Sequence, residues 1–429
     1  MLSLRAVALH TRILLALLAG AACGLTANGL TAGTGKRPLL EALVGNLTEP
    51  AGRMWLSALI MVVIPLIVST LALGVAGLGS VRRLGRIGVL TLLCFLGLTA
   101  ASASLGLLVM NAVRPGYGLD PLVKQRLLEV YAGQTGGAMG LSSGVFGIDL
   151  LVKIVPRNPI KAAADGDMLA VIFFSLMIGV ALTTLSAEKA APLVHWLESV
   201  GHVTIAIIEM VMKLAPLGVF CLIFSVTARF GFELLVSLFM YVLTVVGSLA
   251  FFLVVGYWIV LRLLSRQRPS EFFRKSRIVM LTAFSTSSSN ATLPTTLRVG
   301  IEELGIPRQI AGFVLPLGAT MNMNGTALFE GATVLFLAQV FGVELTLPAQ
   351  LVVILMSVIT AIGVAGVPGG SIPLLMAVLG MVGVPIEGIA IVLGVDRILD
   401  MCRTVLNVTG DLVTASVVAR FEGPEPQPE

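Results

Sequence analysis

Five polar residues near the C-terminus share one face of a helix. In the stretch GVDRILDMCRTVLNVTGDLVTASVVAR, Asp396, Asp400, Arg403, Asn407 and Asp411 fall on a narrow stripe at about 100° per residue. Each ionisable group at a bilayer centre costs roughly 2.5–3.5 kcal/mol on insertion scales. Three carboxylates, a guanidinium and an amide would not share a membrane face without partners. The chemistry they suit is capture of a zwitterionic or charged ligand together with cations. An aspartate gives an ammonium its counter-charge, and the planar fork of an arginine matches a carboxylate bidentately. A salt-bridge ladder around Arg403 is the structural alternative, but it does not explain the broken segments that accompany the stripe.

Three such segments precede the stripe: AFSTSSSNATLPTTL (residues 283–297), GATMNMNGTALFEG (318–331) and AIGVAGVPGGSIPLL (361–375). Broken backbone at membrane depth is tolerated only where it is buried in protein or lines a cavity. The first and third are each apolar, then Ser/Gly-rich with a proline (Pro294, Pro368), then apolar again. Each reads as a re-entrant hairpin, and paired interrupted segments point to a transporter's binding site. Ser287, Ser288 and Ser289 could instead include a hydrolase nucleophile, which needs a nearby general base. No membrane histidine or lysine offers itself. The serine hydroxyls, with the open N–H groups of a helix starting near Ser289, suit a carboxylate better.

The elements that position these residues follow from composition. Of 429 residues, 57% are hydrophobic and only 12% charged, and the mean hydropathy is +1.00. That is too little charge to solvate a soluble protein of this length. At least seven apolar stretches approach the 20 or so residues a spanning helix needs. The spacing predicts helices over residues 10–30, 54–78, 87–110, 169–185, 203–227 and 234–264, with a polar, Gly-rich stretch over 113–167. The net charge of +5 is concentrated in two short connections: Arg82, Arg83 and Arg86, then Arg262, Arg266, Arg268, Arg274, Lys275 and Arg277. Such loops read as cytoplasmic, and a cytoplasmic N-terminus puts both on that side. Flanking apolar spans argue against a nucleic-acid patch. Cys23, Cys94, Cys221 and Cys402 show no paired spacing, and His10, His195 and His202 no metal pattern. LLALLAGAAC near the N-terminus could be a signal peptide, but with so many spans downstream it reads as a retained first helix. The tail EGPEPQPE is expected to be disordered.

The motifs SSSNATLPTT, GATMNMNGTAL, GVAGVPG and LDMCRTVLNVTGD, with RRLGRIGV, PRNP and VIFF before them, resemble those of the dicarboxylate/amino acid:cation symporters. The resemblance covers the whole chain. It implies an all-α polytopic membrane protein of eight transmembrane helices and two re-entrant hairpins, assembled as a homotrimer and working as an elevator. The implied scaffold is residues 1–80 and 113–230, the moving transport domain 81–112 and 231–420, and the tail 421–429. The implied location is the cell inner membrane, with both termini cytoplasmic.

By the family pattern, Asp400 receives the substrate amine and Arg403 its side-chain carboxylate. Asn407, Ser288 and Ser289 hold the α-carboxylate, Thr326 and Thr404 assist, and the Val367–Gly369 tip of the second hairpin closes the gate. One sodium is implied at Asp411 with Gly318, Asn322 and Asn407, and another at Thr320 with the second hairpin's carbonyls. Three departures stand out. Asn324 replaces an aspartate that helps bind a third sodium, and Phe95, Leu98 and Thr99 alter that ion's partners. The extra arginine common in relatives is absent at Ser287 and Met401. Glu330 follows NMNGTALF, as in the brain glutamate transporters, where it couples protons. A carboxyl in an apolar setting favours its neutral form and can carry a proton.

The expected activity is symport of acidic amino acids with sodium and a proton, without enzymatic chemistry. The competing readings are a C4-dicarboxylate or neutral amino-acid transporter, an ion channel and an intramembrane enzyme. Arg403 argues against neutral substrates, and Asp400 against dicarboxylates, which bring no amine.

Overall fold

The computed structural model describes residues 9–31, 37–83, 85–117, 155–165, 167–364, 366 and 369–422. Every regular element among them is helical. α1 (Leu9–Thr31) is followed by a bent lead-in (Arg37–Leu43, a π turn at Val44–Thr48, and Glu49–Ile60), then α2 (Val63–Arg83) and α3 (Arg86–Val113). Next come α4 (Met168–Thr184), α5 (Ala187–Lys213) and α6 (Ala215–Phe230). The single span expected over 203–227 is therefore two helices meeting at Leu214. Pro216 marks the break: it has no N–H for the preceding turn and stands in the first turn of the new helix, where none is needed.

α7 (Phe232–Phe251) runs on through a π turn (Phe252–Gly256) to Tyr257–Leu264. α8 (Pro269–Thr286) and α9 (Ser289–Arg298) form one helical hairpin. α10 (Arg308–Met321) and α11 (Asn324–Phe341) are two halves of a helix broken at Asn322–Met323. α12 (Leu347–Gly363) and α13 (Ile372–Met381) form a second hairpin, and α14 (Asp396–Glu422) closes the fold. Both predicted interruptions at 283–297 and 361–375 are thus places where the chain turns between two helices.

Five stretches among the described residues are long and apolar enough to cross a membrane: Thr11–Thr31, Arg37–Gly77, Arg86–Val113, Ala187–Lys213 and Leu235–Leu264. Ala170–Thr184, Ala215–Phe230, Leu347–Gly363 and Ile372–Met381 are apolar but shorter. Leu14, Leu15 and Leu18 of α1, like Leu93 and Leu108 of α3, point outward, as a lipid-facing surface allows.

Two neighbourhoods stand out in the packing, with α12 bridging them against α2 and α3. α1 lies along α6, and α2 along α4 and α5. α14 is surrounded by α8, α10 and α11, with α3 packed along α11. At Gly106 of α3 the backbone of α11 comes so close that a Cβ would sit 2.5 Å from the Leu328 carbonyl oxygen. Overpacking of this kind costs roughly 1–3 kcal/mol. Gly106→Ala is accordingly expected to lower the melting temperature of the detergent-solubilised protein. Gly97→Ala on the same helix, where a Cβ meets nothing within 4 Å, is expected to leave it unchanged or raise it. Equal melting temperatures for the two variants would contradict this packing.

Candidate substrate and cation site

The stripe on α14 faces protein. Asp396, Asp400, Arg403, Asn407 and Asp411 are each at most 4% exposed. Asp400 is the hub. Its Oδ1 accepts from Arg403 Nε at 2.9 Å and lies 2.8 Å from Nη2. Its Oδ2 accepts from Arg397 Nη1 at 3.0 Å and from the Gly369 N–H at 3.1 Å. Arg403 also donates through Nη1 to Asp396 Oδ1 at 3.1 Å, and its guanidinium lies 4.4 Å from the centre of the Phe329 ring. Two carboxylates and two guanidiniums thus neutralise one another. That is what a dry site requires, since a single buried charge left unpaired is strongly destabilising.

Both hairpin tips meet above this group. α8 ends at Ser287, whose φ of +50° is the left-handed conformation that reverses the chain. Ser288 is the N-cap of α9, its hydroxyl accepting from the Ala291 N–H at 3.2 Å. The same hydroxyl donates to the Gly366 carbonyl of the second hairpin at 2.6 Å, and the Asn290 N–H reaches that carbonyl at 3.4 Å. Ser288 is therefore a cap and a tip-to-tip latch. Ser287 and Ser289 line the cleft below, with Met323, Thr326, Gly366, Ser371, Asp400, Arg403, Thr404 and Asn407. Gly369 reaches the same place through its N–H. Asn407 Oδ1 accepts from the first N–H groups of α11, Gly325 at 2.7 Å and Thr326 at 3.4 Å, and its Nδ2 faces Thr326 Oγ1 at 3.3 Å. Val367 lies outside the described residues.

A second group lies one turn further along α14. Asp411 Oδ1 accepts from Asn322 Nδ2 at 2.8 Å, while Asn322 Oδ1 is buried without a partner. Gly318 of α10 lies against the same carboxylate, and a Cβ there would collide with Asp411 Oδ1. A buried carboxylate with one neutral donor, beside an orphan carboxamide oxygen, fits a small hard cation that takes oxygen ligands. Gly318, Asn322 and Asp411 are brought together, with Asn407 a turn away. Thr320 is not: it is exposed, and its hydroxyl donates to Leu317 O of its own helix at 2.9 Å.

Asn324 sits in a neutral network. Thr99 Oγ1 donates to its Oδ1 at 2.8 Å and Ser102 Oγ to its backbone oxygen at 2.7 Å. Its Nδ2 donates to the Tyr257 hydroxyl at 2.9 Å, which in turn donates to Leu406 O at 2.9 Å. Phe95 and Leu98, on the same helix as Thr99 and Ser102, are buried and bring no side-chain oxygen. Tyr257 reaches this network from the turn that follows the π turn of α7, an irregularity that recurs at functional sites.

Glu330 is fully buried on α11. Its Oε2 lies 2.6 Å from Thr360 Oγ1 on α12, and its Oε1 has no partner. Thr360 has one hydroxyl proton, and its oxygen also lies 2.9 Å from Met356 O. When that proton goes to Met356 O, the short contact requires a proton on Glu330. The contact joins α11 to the second hairpin.

Residues 9–421 match the sodium:dicarboxylate symporter family. The chain belongs to that family. It is 37% identical over 381 residues to the proton/glutamate-aspartate symporter of Escherichia coli (strain K12), covering 89% of this chain and 86% of that protein. It is likewise 37% identical over 380 residues to the proton/sodium-glutamate symport protein of Bacillus subtilis (strain 168), covering 87% and 86%. At 32% identity over 382 residues, 88% of each chain, it is similar to the C4-dicarboxylate transport protein of the same species. The family consists of symporters, so the site serves transport and not bond-making chemistry.

Three residues of this symporter's site escaped the sequence reading. Arg397 lies 100° from Asp396 on the helix and so off the stripe, although its i,i+3 spacing to Asp400 is that of an ion pair. Thr360 and Tyr257 carry no local signal at all, because their partners are 30 and 67 residues away. Gly318→Ala removes no oxygen ligand yet crowds Asp411. It is expected to raise the sodium concentration for half-maximal uptake by about tenfold or more, a cost of roughly 1.4 kcal/mol. An unchanged sodium dependence would place the cation elsewhere.

Proposed function

We propose that this chain is a secondary active symporter that carries acidic amino acids, glutamate or aspartate, inward together with sodium and a proton. The Asp400–Arg403 pair carries the reading. An α-amino acid with a second carboxylate can split it, its ammonium taking Asp400 and its side-chain carboxylate taking Arg403. The α-carboxylate is then left for the start of α9 at Ser289, with Asn407, Thr326 and Thr404 beside it, and Ser288, Val367 and Gly369 form the tips that close. The names of the relatives in E. coli and B. subtilis support the same substrates and both cations.

Sodium is assigned to Gly318, Asn322, Asn407 and Asp411, with a second ion drawing on Thr320 once the second hairpin moves. No third sodium is assigned, because Asn324 is held by hydroxyls and brings no charge. The proton is assigned to Glu330, on the geometry of its contact with Thr360. The architecture proposed is eight spanning helices and two re-entrant hairpins in an inner-membrane homotrimer, with both termini cytoplasmic. Residues 81–112 and 231–420 move as the transport domain against the scaffold of 1–80 and 113–230. The two packing neighbourhoods support that division, and the family resemblance supports the trimer and the elevator.

The substrate reading is tested by competition against labelled aspartate uptake in proteoliposomes. Aspartate and glutamate are expected to compete better than serine, succinate and fumarate. Arg403→Ala is expected to abolish the acidic advantage, since stripping a partner from a buried pair costs roughly 3–5 kcal/mol. A neutral or amine-free compound that outcompetes both amino acids would overturn the reading.

Proton coupling has its own measurement. Substrate addition under a sodium gradient is expected to change internal pH in wild-type proteoliposomes and to change it far less per substrate in Glu330→Gln. Equal proton movement in both would remove Glu330 from the role.

A further inference from the structure

The end of α7 and the start of α8 carry a concentration of charge that the buried site does not use. Arg262, Arg266, Arg268, Arg274 and Arg277 are all exposed. Among the described residues, none of them makes an ion pair or a side-chain hydrogen bond. The one acid within residues 262–277 is Glu271, and it is taken by Lys275 at 2.9 Å. α8 also starts without a side-chain cap. Its N-cap position is held by Arg268, a cation at the end of a helix whose dipole favours an anion. Five guanidiniums and an open helix start thus face outward and lack a counter-charge from the protein.

The neighbouring residues say where that counter-charge sits. On α8, Arg274, Arg277, Ile278 and Leu281 are exposed at i, i+3, i+4 and i+7, so they form one outward face. Along this face charge gives way to hydrocarbon between Arg277 and Leu281, a rise of about 6 Å. A bilayer about 40–45 Å thick with a core of about 30 Å leaves a head-group layer of about 5–7 Å on each side. The change on α8 matches that layer. On α7, Trp258, Ile259, Leu263 and Leu264 are exposed around Arg262, and tryptophan favours the same depth. A free phosphate ion would neutralise the arginines but leave this apolar surface in water. A phospholipid covers both. Zwitterionic lipids carry their own cation beside the phosphate, whereas lipids with net negative charge do not.

We propose that this edge of α7 and α8 is a binding site for the head groups of anionic phospholipids. Purified full-length protein, delipidated in a nonionic detergent, is titrated with phosphatidylglycerol or phosphatidylcholine of the same chain length, and bound lipid is counted by native mass spectrometry. Wild type is expected to hold phosphatidylglycerol about tenfold or more tightly than phosphatidylcholine. Arg274→Gln/Arg277→Gln is expected to lose about tenfold or more of the phosphatidylglycerol affinity. Arg274→Lys/Arg277→Lys keeps the charge and is expected to bind close to wild type. Lys189→Gln/Lys213→Gln removes the same charge from exposed positions at the two ends of α5 and is expected to change nothing. Equal binding of the two lipids by wild type would show that apolar contact alone holds them, and would overturn the proposal. Displacement of phosphatidylglycerol by millimolar inorganic phosphate would reduce the edge to a free-ion site and overturn it too. So would equal losses in the arginine and lysine Gln pairs. If the arginine Gln pair fails to fold, the wild-type lipid comparison and the Arg→Lys pair still decide.

Discussion

A carboxylate buried inside a membrane protein must have a cation, and the arrangement around Asp400 follows from that requirement. Its two oxygens are divided between two guanidiniums, with a backbone N–H from the second hairpin on one of them. Arg403 in turn needs Asp396, and it rests on the Phe329 ring. The group is neutral as a whole, which is what its burial requires. The same neutrality makes it responsive, since a ligand carrying both signs can replace internal pairs by external ones with little change in buried charge.

The helices hold this charge group in place. α14 carries the charges, and the break between α10 and α11 brings the Asn322–Asn324 segment against it. Asn407 caps α11 from α14, so the substrate stripe and the broken helix are joined by hydrogen bonds as well as by packing. The hairpin tips are linked to each other through Ser288 and Gly366, and to the charge group through Gly369 and Ser287. The charge group is therefore tied to both tips. Glu330 adds a second connection to the second hairpin through Thr360. The charge group around Asp400, the Asp411 carboxylate and Glu330 thus lie on neighbouring parts of one small set of packed elements.

Asn324 illustrates how a buried amide is satisfied without any charge. An amide has no charge to offer a cation, and here its oxygen accepts from Thr99 while its nitrogen donates to Tyr257. The network that results is fully neutral and buried, which is stable only because its donors meet acceptors. Asp411 stands in contrast: it is equally buried, has one amide donor, and lies beside an oxygen with none.

By itself, the sequence determined the class of protein, the interrupted segments and the main stripe. These are local properties: hydropathy over a window, Gly and Pro in an apolar run, and charges at helical spacing. The start of α9 at Ser289 was legible for the same reason, since a serine cap acts within three residues. Tertiary structure alone decided which charges share Asp400. Arg397 lies off the stripe, and the departure noted at Ser287 and Met401 gave no hint that its guanidinium reaches the first hairpin. The partners of Asn324 and Glu330 come from α3, α7 and α12, so only packing brings them together. The break at Leu214 was missed because the apolar residues resume at once after Lys213, and only Pro216 marks the place where the hydrogen-bond ladder must restart. Ser288 shows the boundary best. Its place at a helix start could be read from neighbouring residues, but its bond to Gly366, 78 positions along the chain, exists only because two hairpins fold onto one another.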